Sequence, residues 1–348
     1  FETEFEASSG TSTTGGSGGN ATGFIPFASV FVTRRLNEDF ALGLAFASNF
    51  DQTLEYEHGW VGRYYSERDN LRAVTLNPSV GMRLEHYLSF GAGLDIVFGG
   101  MSKTVAVNNA ALDPGVPDGQ LTADDRAVGL GVNLGLLLEP EGGARIGFTY
   151  RSPTTLGFED IAASSGIGPS LQAVLDSLGI SGKTVDSDVS LPQEALLSLY
   201  HPFNEITAIM LNSGWQRWEE FGSNDVTLSD TTSTDLVVNR ATQDTWHFAV
   251  GLHYRADPRW LVKGGFAYDT AASTDANRSV DLPLDTQYRF SGGATWDVDD
   301  VNALSFGYLF ADLGNAKVRR DRPLPGTLAG EYPTHRAHFL SLSLNRTL

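Results

Sequence analysis

The stretch from Tyr288 to Phe310 alternates between two kinds of side chain on either side of one tight turn. Rings and large aliphatic side chains occupy even positions: Tyr288, Phe290, Trp296, Leu304, Phe306, Tyr308 and Phe310. The odd positions carry small or polar residues such as Ser291, Gly293 and Thr295. A period of two predicts β-strands, and residues 297–300 predict the turn of an antiparallel hairpin. Because the polar face carries few charges, we expect the rings to face lipid and the polar face to line a wet interior.

The same alternation recurs along the chain between short turns and long loops. Apolar residues hold the even positions in 40–46, 74–84, 88–98, 128–136, 146–150, 246–254, 260–268 and 340–344. Six tight turns lie at 36–39, 85–87, 139–143, 202–205, 257–259 and 297–300. They predict six hairpins, and a strand ending near Phe5 and a last strand at 337–347 bring the total to fourteen. Open sheet edges are costly in lipid, so we predict an all-β, transmembrane antiparallel barrel with short periplasmic turns and long extracellular loops.

Aromatic residues at strand ends support this interpretation. Trp246 and Tyr254, like Trp260 and Tyr268, stand eight positions apart, about the span of a tilted strand across the bilayer core. They are candidates for two aromatic belts at the membrane surfaces.

Composition excludes several other classes of protein. The chain has 348 residues, no cysteine and a formal charge of −18, and an acidic chain does not suit nucleic acid as a partner. No run of about 18 apolar residues exists, which argues against membrane-spanning helices. We expect residues 1–348 to form a single barrel domain.

No motif points to catalysis, a cofactor or a metal. The glycine run at 15–19 lacks the Lys-Ser/Thr of a phosphate-binding loop, and His335 and His338, three apart on a strand, point to opposite faces. Residues 113–119 could hold calcium or form a simple acidic turn. We expect no enzyme activity, no cofactor and no metal.

One long loop contains a short predicted helix at 170–178. Leu171, Val174, Leu175 and Leu178 follow the spacing of an apolar helical stripe. The helix could pack on the barrel rim or form an apolar wall for a ligand at the mouth. Inward Arg and Lys side chains likewise have two interpretations, since they could pair across the lumen or meet a ligand.

An ordered set of motifs resembles the family of outer-membrane transporters for long-chain fatty acids and aromatic hydrocarbons. The set spreads over almost the whole chain: Gly-Phe-Ile-Pro at 23–26, Gly-Trp-Val-Gly-Arg-Tyr at 59–64, Leu-Asn-Pro-Ser-Val-Gly at 76–81, Gly-Phe-Thr-Tyr-Arg-Ser at 147–152, Leu-Pro at 191–192, Trp-Gln-Arg-Trp at 215–218, Ala-Asn-Arg-Ser at 276–279 and Leu-Pro at 282–283. The resemblance implies a fourteen-stranded monomer in the bacterial outer membrane.

The resemblance also implies a route for the ligand. Hydrophobic molecules are captured at the loops, enter the lumen and leave sideways through a kinked third strand, here 40–56 with the kink at 48–52. Ser48, Asn49 and Asp51 are the predicted lateral gate, with Asp51 standing where a small residue is expected. Members of the family carry an N-terminal plug, and we expect none in this chain, which begins within the first strand.

Our hypothesis is passive uptake of fatty acids or hydrocarbons with lateral release. Arg151 and Arg278 are predicted to meet a ligand carboxylate, because a carboxylate in a site of low dielectric needs charge-assisted partners. The rest of the predicted ligand-binding set is Trp60, Arg63, Trp218, Leu171 and Leu175. Expected partners are hydrophobic small molecules, outer-membrane lipid and lipopolysaccharide. The alternatives are a general diffusion porin for polar solutes and a surface adhesin whose loops bind a partner.

Overall fold

The structure is a computed structural model that describes residues 1–159, 162–177, 185–228, 235–239, 242–322 and 326–347. Its helices are short: α1 spans Pro169–Ser177, α2 spans Glu219–Gly222, and a 3-10 turn spans Asn109–Ala111. Within those ranges, no helix has both the length and the apolar character needed to cross a membrane.

Most of the remaining described residues are in β-strands. In chain order the strands are β1 (Glu2–Ala7), β2 (Ser29–Arg35), β3 (Phe40–Glu55), β4 (Arg68–Glu85), β5 (Leu88–Val107), β6 (Gly119–Leu138), β7 (Arg145–Arg151), β8 (Thr154–Phe158), β9 (Ala162–Ser165), β10 (Val185–Leu191), β11 (Glu194–Pro202), β12 (Thr207–Gln216), β13 (Ser223–Leu228), β14 (Asp235–Asn239), β15 (Thr245–Asp257), β16 (Trp260–Asp269), β17 (Gln287–Asp297), β18 (Asn302–Asp312), β19 (Ala316–Arg322) and β20 (Gly326–Arg346).

Fourteen strands form the barrel wall, as the alternation predicts. Their order is β1-β20-β18-β17-β16-β15-β12-β11-β7-β6-β5-β4-β3-β2, with β9 and β19 added at the loop end. Each of the six predicted tight turns joins two neighbouring strands. The opening hairpin is β17 and β18, in which Trp296 pairs with Leu304 and Phe290 with Phe310.

The ring of main-chain hydrogen bonds is completed at the loop end by residue 21. The Ala21 N–H donates to the Thr3 carbonyl of β1 at 2.8 Å, and the Ala21 carbonyl accepts from the Glu55 N–H of β3 at 2.8 Å. Toward the turn end, β2 and the second half of β20 are the lateral edges of the sheet.

The outer surface carries the apolar face. Phe290 is 52% exposed and Phe306 is 50% exposed, so the rings point away from the lumen as predicted. Tyr268 lies 5.5 Å from Tyr288 near the loop end, and Trp260 stacks at 6.0 Å on Trp296 at the turn end. Eight residues along β16 separate these two aromatic belts, roughly 26 Å along the strand at about 3.3 Å per residue, or about 20 Å along the membrane normal for a strand tilted by about 40°.

Buried apolar side chains gather at the loop end. We call one group the outer cluster: Phe5, Ala21, Leu54, Tyr56, Trp60, Val61, Val280, Ala316, Val318, Leu328 and Tyr332. A second group, the mouth cluster, lies between the barrel wall and a small sheet of order β14-β13-β10-β8. Its buried members are Leu71, Ala73, Val97, Ala127, Leu156, Phe158, Val189, Phe221 and Leu282.

Candidate functional site

The alternation of β3 is interrupted at Asn49. Ser48 pairs with Val74 and Phe50 pairs with Ala73, so Asn49 is an extra residue that forms a β-bulge. A bulge changes which face the following residues present. Phe46, before the bulge, is 48% exposed on the lipid face, whereas Phe50 packs against the mouth cluster. The bulge lies within the segment 48–52 for which a kink is predicted.

Phe50 meets two aromatic side chains contributed by the β12–β13 connection. Its ring centroid lies 5.6 Å from that of Phe221 and 6.3 Å from that of Trp218. Trp218 and Phe221 contact each other edge to face at 5.1 Å. Trp218 is therefore the predicted ligand-binding residue that the structure places against the mouth cluster.

The mouth cluster joins the inner faces of three long strands to side chains from the loops. Leu71 and Ala73 come from β4, Val97 from β5 and Ala127 from β6, while β8 supplies Leu156 and Phe158. All named buried members are apolar, so an apolar molecule would find no unpaired charge among them. The cluster thus presents only aliphatic and aromatic carbon among its named members.

A cavity of about 710 Å³ lies in the lumen beside β3, and we call it the β3-side cavity. Its lining includes Asn49 of the bulge together with polar side chains from the neighbouring strands: Asn77, Asp95, Asn133, Arg151 and Glu194. The bulge residue thus borders this cavity directly before Phe50 in the sequence.

Arg151 is held in this cavity by two carboxylates. Its Nε lies 3.1 Å from Asp95 Oδ2, and its Nη1 lies 3.2 Å from Glu194 Oε1. Asp95 also accepts hydrogen bonds from the side-chain amides of Asn77 at 2.8 Å and Asn133 at 3.0 Å. A ligand carboxylate would have to exchange with these partners, so the predicted role of Arg151 stays a prediction.

Arg278 is buried, with 1% of its surface exposed. It donates to the main-chain carbonyls of Leu284 at 3.1 Å, Lys317 at 3.0 Å and Ser273 at 3.2 Å. It also pairs with Asp275 and, at 3.2 Å, with Asp285. These contacts hold the β16–β17 loop in shape, and its ligand-binding role also stays a prediction.

Trp60 and Arg63 lie outside the mouth cluster. Trp60 is 1% exposed, stacks on Tyr56 at 3.8 Å and donates from Nε1 to the Ser66 carbonyl at 2.7 Å. Arg63 pairs with Asp118 at 2.8 Å. Their contacts are with other loop residues, Arg63 also lines a separate cavity of about 360 Å³, and the ligand-binding role of both stays a prediction.

The outer cluster also contains a pair of neutral tyrosines. The hydroxyls of Tyr56 and Tyr332 lie 2.5 Å apart, and Tyr56 donates to the Val280 carbonyl at 2.8 Å. Burial, reinforced by Tyr332, raises the pKa of Tyr56 well above its usual value, and burial raises that of Tyr332 as well. The pair joins the end of β3, the β16–β17 loop and β20.

The predicted helix is present as α1, although Leu178 lies outside the described residues. Leu171 and Leu175 are half-buried, and neither belongs to the mouth cluster as the described residues define it. Asp113 of the predicted acidic turn accepts hydrogen bonds at the start of α1, from the N–H groups of Ser170 and Leu171. Contact between this helix and a ligand stays a prediction.

Sequence reasoning missed most of the mouth cluster. Phe50 is on an even position and is therefore expected on the lipid face, because a bulge cannot be seen in the alternation itself. A usable signal was the change of lumen-facing positions from polar to apolar toward the loop end, as at Leu71, Ala73 and Val97. The partners from α2 and β8 follow only from tertiary packing.

An antiparallel barrel with its rings facing lipid, a polar lumen and an apolar cluster at the loop end defines an outer-membrane β-barrel of the transport class. The chain belongs to the family described as outer membrane protein transport protein (OMPP1/FadL/TodX), whose model matches residues 2–347. It is therefore a bacterial outer-membrane protein, as expected from the resemblance.

Two relatives of known name are similar over most of the chain. The long-chain fatty acid transport protein of Escherichia coli O6:H1 is 25% identical over 296 residues, covering 78% of this chain and 66% of the relative. Outer membrane protein P1 of Haemophilus influenzae is 24% identical over 335 residues, covering 87% and 70%. The chain thus spans about two thirds of the length of these proteins.

Solved structures share the fold at low sequence identity. A Pseudomonas aeruginosa FadL homologue superposes with a TM-score of 0.88 at 17% identity, covering 99% of this chain and 87% of that one. The Pseudomonas putida toluene transporter TodX gives a TM-score of 0.67 at 15% identity, with the same coverage.

Proposed function

We propose that this protein takes up hydrophobic compounds, long-chain fatty acids or hydrocarbons, by passive transport with lateral release into the membrane. The observation that carries the proposal is the bulge at Asn49, which turns Phe50 from the lipid face into the mouth cluster. The names of the relatives, a fatty acid transport protein and a toluene transporter, support the same substrate class.

Capture at the mouth cluster is driven by the hydrophobic effect. Each methylene group that moves from water into an apolar site contributes about 0.8 kcal/mol. Phe50 and Trp218, which are only partly buried, offer ring surface to such a tail or to an aromatic ring. The cluster thus selects by apolar surface and not by a particular functional group.

Release is proposed at the bulge because the wall changes there. Residues on either side of Asn49 keep their pairing with β4, while the extra residue interrupts the ladder. Asn49 lines the β3-side cavity, so a molecule passing Phe50 reaches the lumen at the irregular part of the wall. Ser48, Asn49 and Asp51 remain the proposed gate, and Asp51 is held by Arg72 at 3.3 Å.

Deletion of Asn49 separates capture from release. Since Ser48 and Phe50 already pair with consecutive residues of β4, the deletion should give a regular ladder and leave Phe50 facing inward. We expect oleate binding to purified protein to change less than about twofold, while oleate uptake by cells that depend on this protein falls at least about tenfold. Phe46→Ala, on the lipid face of the same strand, is the control and should leave both unchanged.

Three outcomes would contradict the proposal. Undiminished uptake after the deletion would remove lateral release at β3. Rapid sugar flux into liposomes without any binding of oleate or toluene would instead identify a diffusion porin, and adhesion to a host surface without lipid binding would identify an adhesin.

A further inference from the structure

A second lumen cavity, also about 710 Å³, lies on the wall formed by β12, β15, β16, β17, β18 and β20. We call it the β16-side cavity. Its described lining contains two cations, Lys263 and Arg289, the imidazole of His247 and no carboxylate. The β3-side cavity instead contains one cation and two carboxylates, Arg151 with Asp95 and Glu194. The two cavities thus differ in the sign of their charge.

Most cations of this wall are already paired. Arg289 Nε lies 3.3 Å from Asp269 Oδ2, and the same carboxylate contacts His247 Nδ1 at 2.8 Å. Arg255 pairs with Asp297 at 3.4 Å. Lys263, by contrast, has no ion-pair partner in the part of the chain that the structure describes, and its neighbours across the strands are His253 and Gly293.

We propose that Lys263 binds the carboxylate of an acidic hydrophobic ligand inside the lumen. The inference rests on the proposed function, since it assumes that such ligands enter the barrel, and it names the group that recognises the acids among them. A half-buried ammonium can form a charge-assisted hydrogen bond with a carboxylate. Lys263 can do so without giving up an ion-pair partner among the described residues.

The surroundings of Lys263 leave room for the rest of the molecule. Gly251, Gly265 and Gly293 line the same cavity without side chains, and Met210, Leu309 and Phe339 supply apolar contact. The chain as a whole carries a formal charge of −18, which repels anions. The cations in this cavity therefore attract a carboxylate locally against that overall repulsion. Hydrocarbons have no group for Lys263, so this wall separates acids from neutral ligands.

Protection of lysine from reductive methylation tests the site directly. The chain has four lysines, and the exposed Lys317 serves as an internal reference. In neutral detergent, we expect oleate to slow methylation of Lys263 about tenfold, as measured by mass spectrometry, while leaving Lys317 unchanged. Oleyl alcohol, with the same tail and no charge, should not protect Lys263.

Matched variants give a second readout. Lys263→Gln should weaken oleate binding about tenfold and leave oleyl alcohol binding unchanged, and Lys263→Arg should retain oleate binding. Arg83→Gln, which removes a lumen cation already paired with Glu139, is the control for a general loss of positive charge.

The failures of the two proposals are distinguishable. Oleate binding with no protection of Lys263, or equal loss of oleate and alcohol binding in Lys263→Gln, would overturn this inference alone. If the wild-type protein binds neither oleate nor oleyl alcohol, the proposed function fails and this inference fails with it.

Discussion

His335 is a titratable residue buried at the loop end of β20. It is 7% exposed, and its Nδ1 has no hydrogen-bond partner among the described residues. Burial, opposed by Asp312 and reinforced by Arg278, lowers the pKa of His335 to about 4. The folded protein therefore holds this imidazole neutral at pH 7, whereas a histidine in an unfolded chain has a pKa of about 6.5.

The depressed pKa of His335 predicts a loss of stability in acid. A group whose pKa is lower in the folded state binds more protons when unfolded, so its contribution is complete above pH 6.5 and is lost as the pH falls toward 4. The loss should be on the order of 3 kcal/mol across that window. His335→Gln removes the group, and thermal unfolding of both proteins in neutral detergent at several pH values measures the difference. Parallel curves for the two proteins would refute this.

Two residues with a binding chemistry are held by contacts within the loops. Trp60 and Arg278 have the ring and the charge expected of ligand contacts, yet each is 1% exposed with its polar atoms satisfied by the protein itself. Residue type alone could not distinguish these uses, because the acceptors of Arg278 include the carbonyl of Lys317, 39 residues away.

At the scale of an element, α1 is held by side chains from a different loop. Asp113 accepts from the Ser170 N–H at 3.0 Å and from the Leu171 N–H at 3.2 Å. Asn109 accepts from the Gly168 N–H at 2.9 Å and donates to the carbonyls of Pro117 and Gly166, each at 2.7 Å. Hydrogen bonds from Ser170, followed by that from Leu171, hold the pKa of Asp113 below its usual value.

Removal of this cap should loosen the start of α1. The first N–H groups of a helix have no acceptor within the helix, and here the Asp113 carboxylate accepts from two of them. Asp113→Ala should therefore speed amide hydrogen exchange at Ser170 and Leu171 about five- to tenfold. Asp124→Ala, on the exposed face of β6, is the matched control. Unchanged exchange in Asp113→Ala would show that Asn109 alone secures the helix.

At the scale of the whole molecule, lipid and lumen lie on opposite faces of one sheet. Phe306 and Ser305 are neighbours on β18, yet Phe306 is 50% exposed on the outside, whereas the Ser305 hydroxyl lies 2.9 Å from that of Thr295 on the inner face. A charge introduced at these two positions should therefore lower the free energy of unfolding by very different amounts, although the positions are adjacent in the sequence.

Arginine scanning at these two positions tests the orientation of the wall. Phe306→Arg should lower the free energy of unfolding in lipid vesicles by about 2–4 kcal/mol, since the charge lies against hydrocarbon. Ser305→Arg should cost much less because its side chain enters the polar lumen. Equal losses of unfolding free energy for the two variants, measured by urea titration, would mean that the two faces of the wall do not meet different solvents.

Sequence alternation predicts the wall well because each strand carries its own pattern. It predicts the turns and the fourteen strands, and with them the lipid-facing rings, correctly. It does not keep its phase everywhere, since Leu197 on β11 and Leu211 on β12 are outward at odd positions. The lengths of the loops between hairpins set that phase, and alternation within a strand contains no information about them.

The sequence by itself determined the barrel, its short turns, its aromatic belts and its outer-membrane environment, because a period of two and the choice between lipid and water act locally on every strand. Only the tertiary structure decided which residues form the candidate site. The bulge at Asn49 reverses the direction of Phe50, and Arg151 meets Asp95 from 56 positions away. Such contacts depend on register and packing between distant segments, which no local pattern encodes.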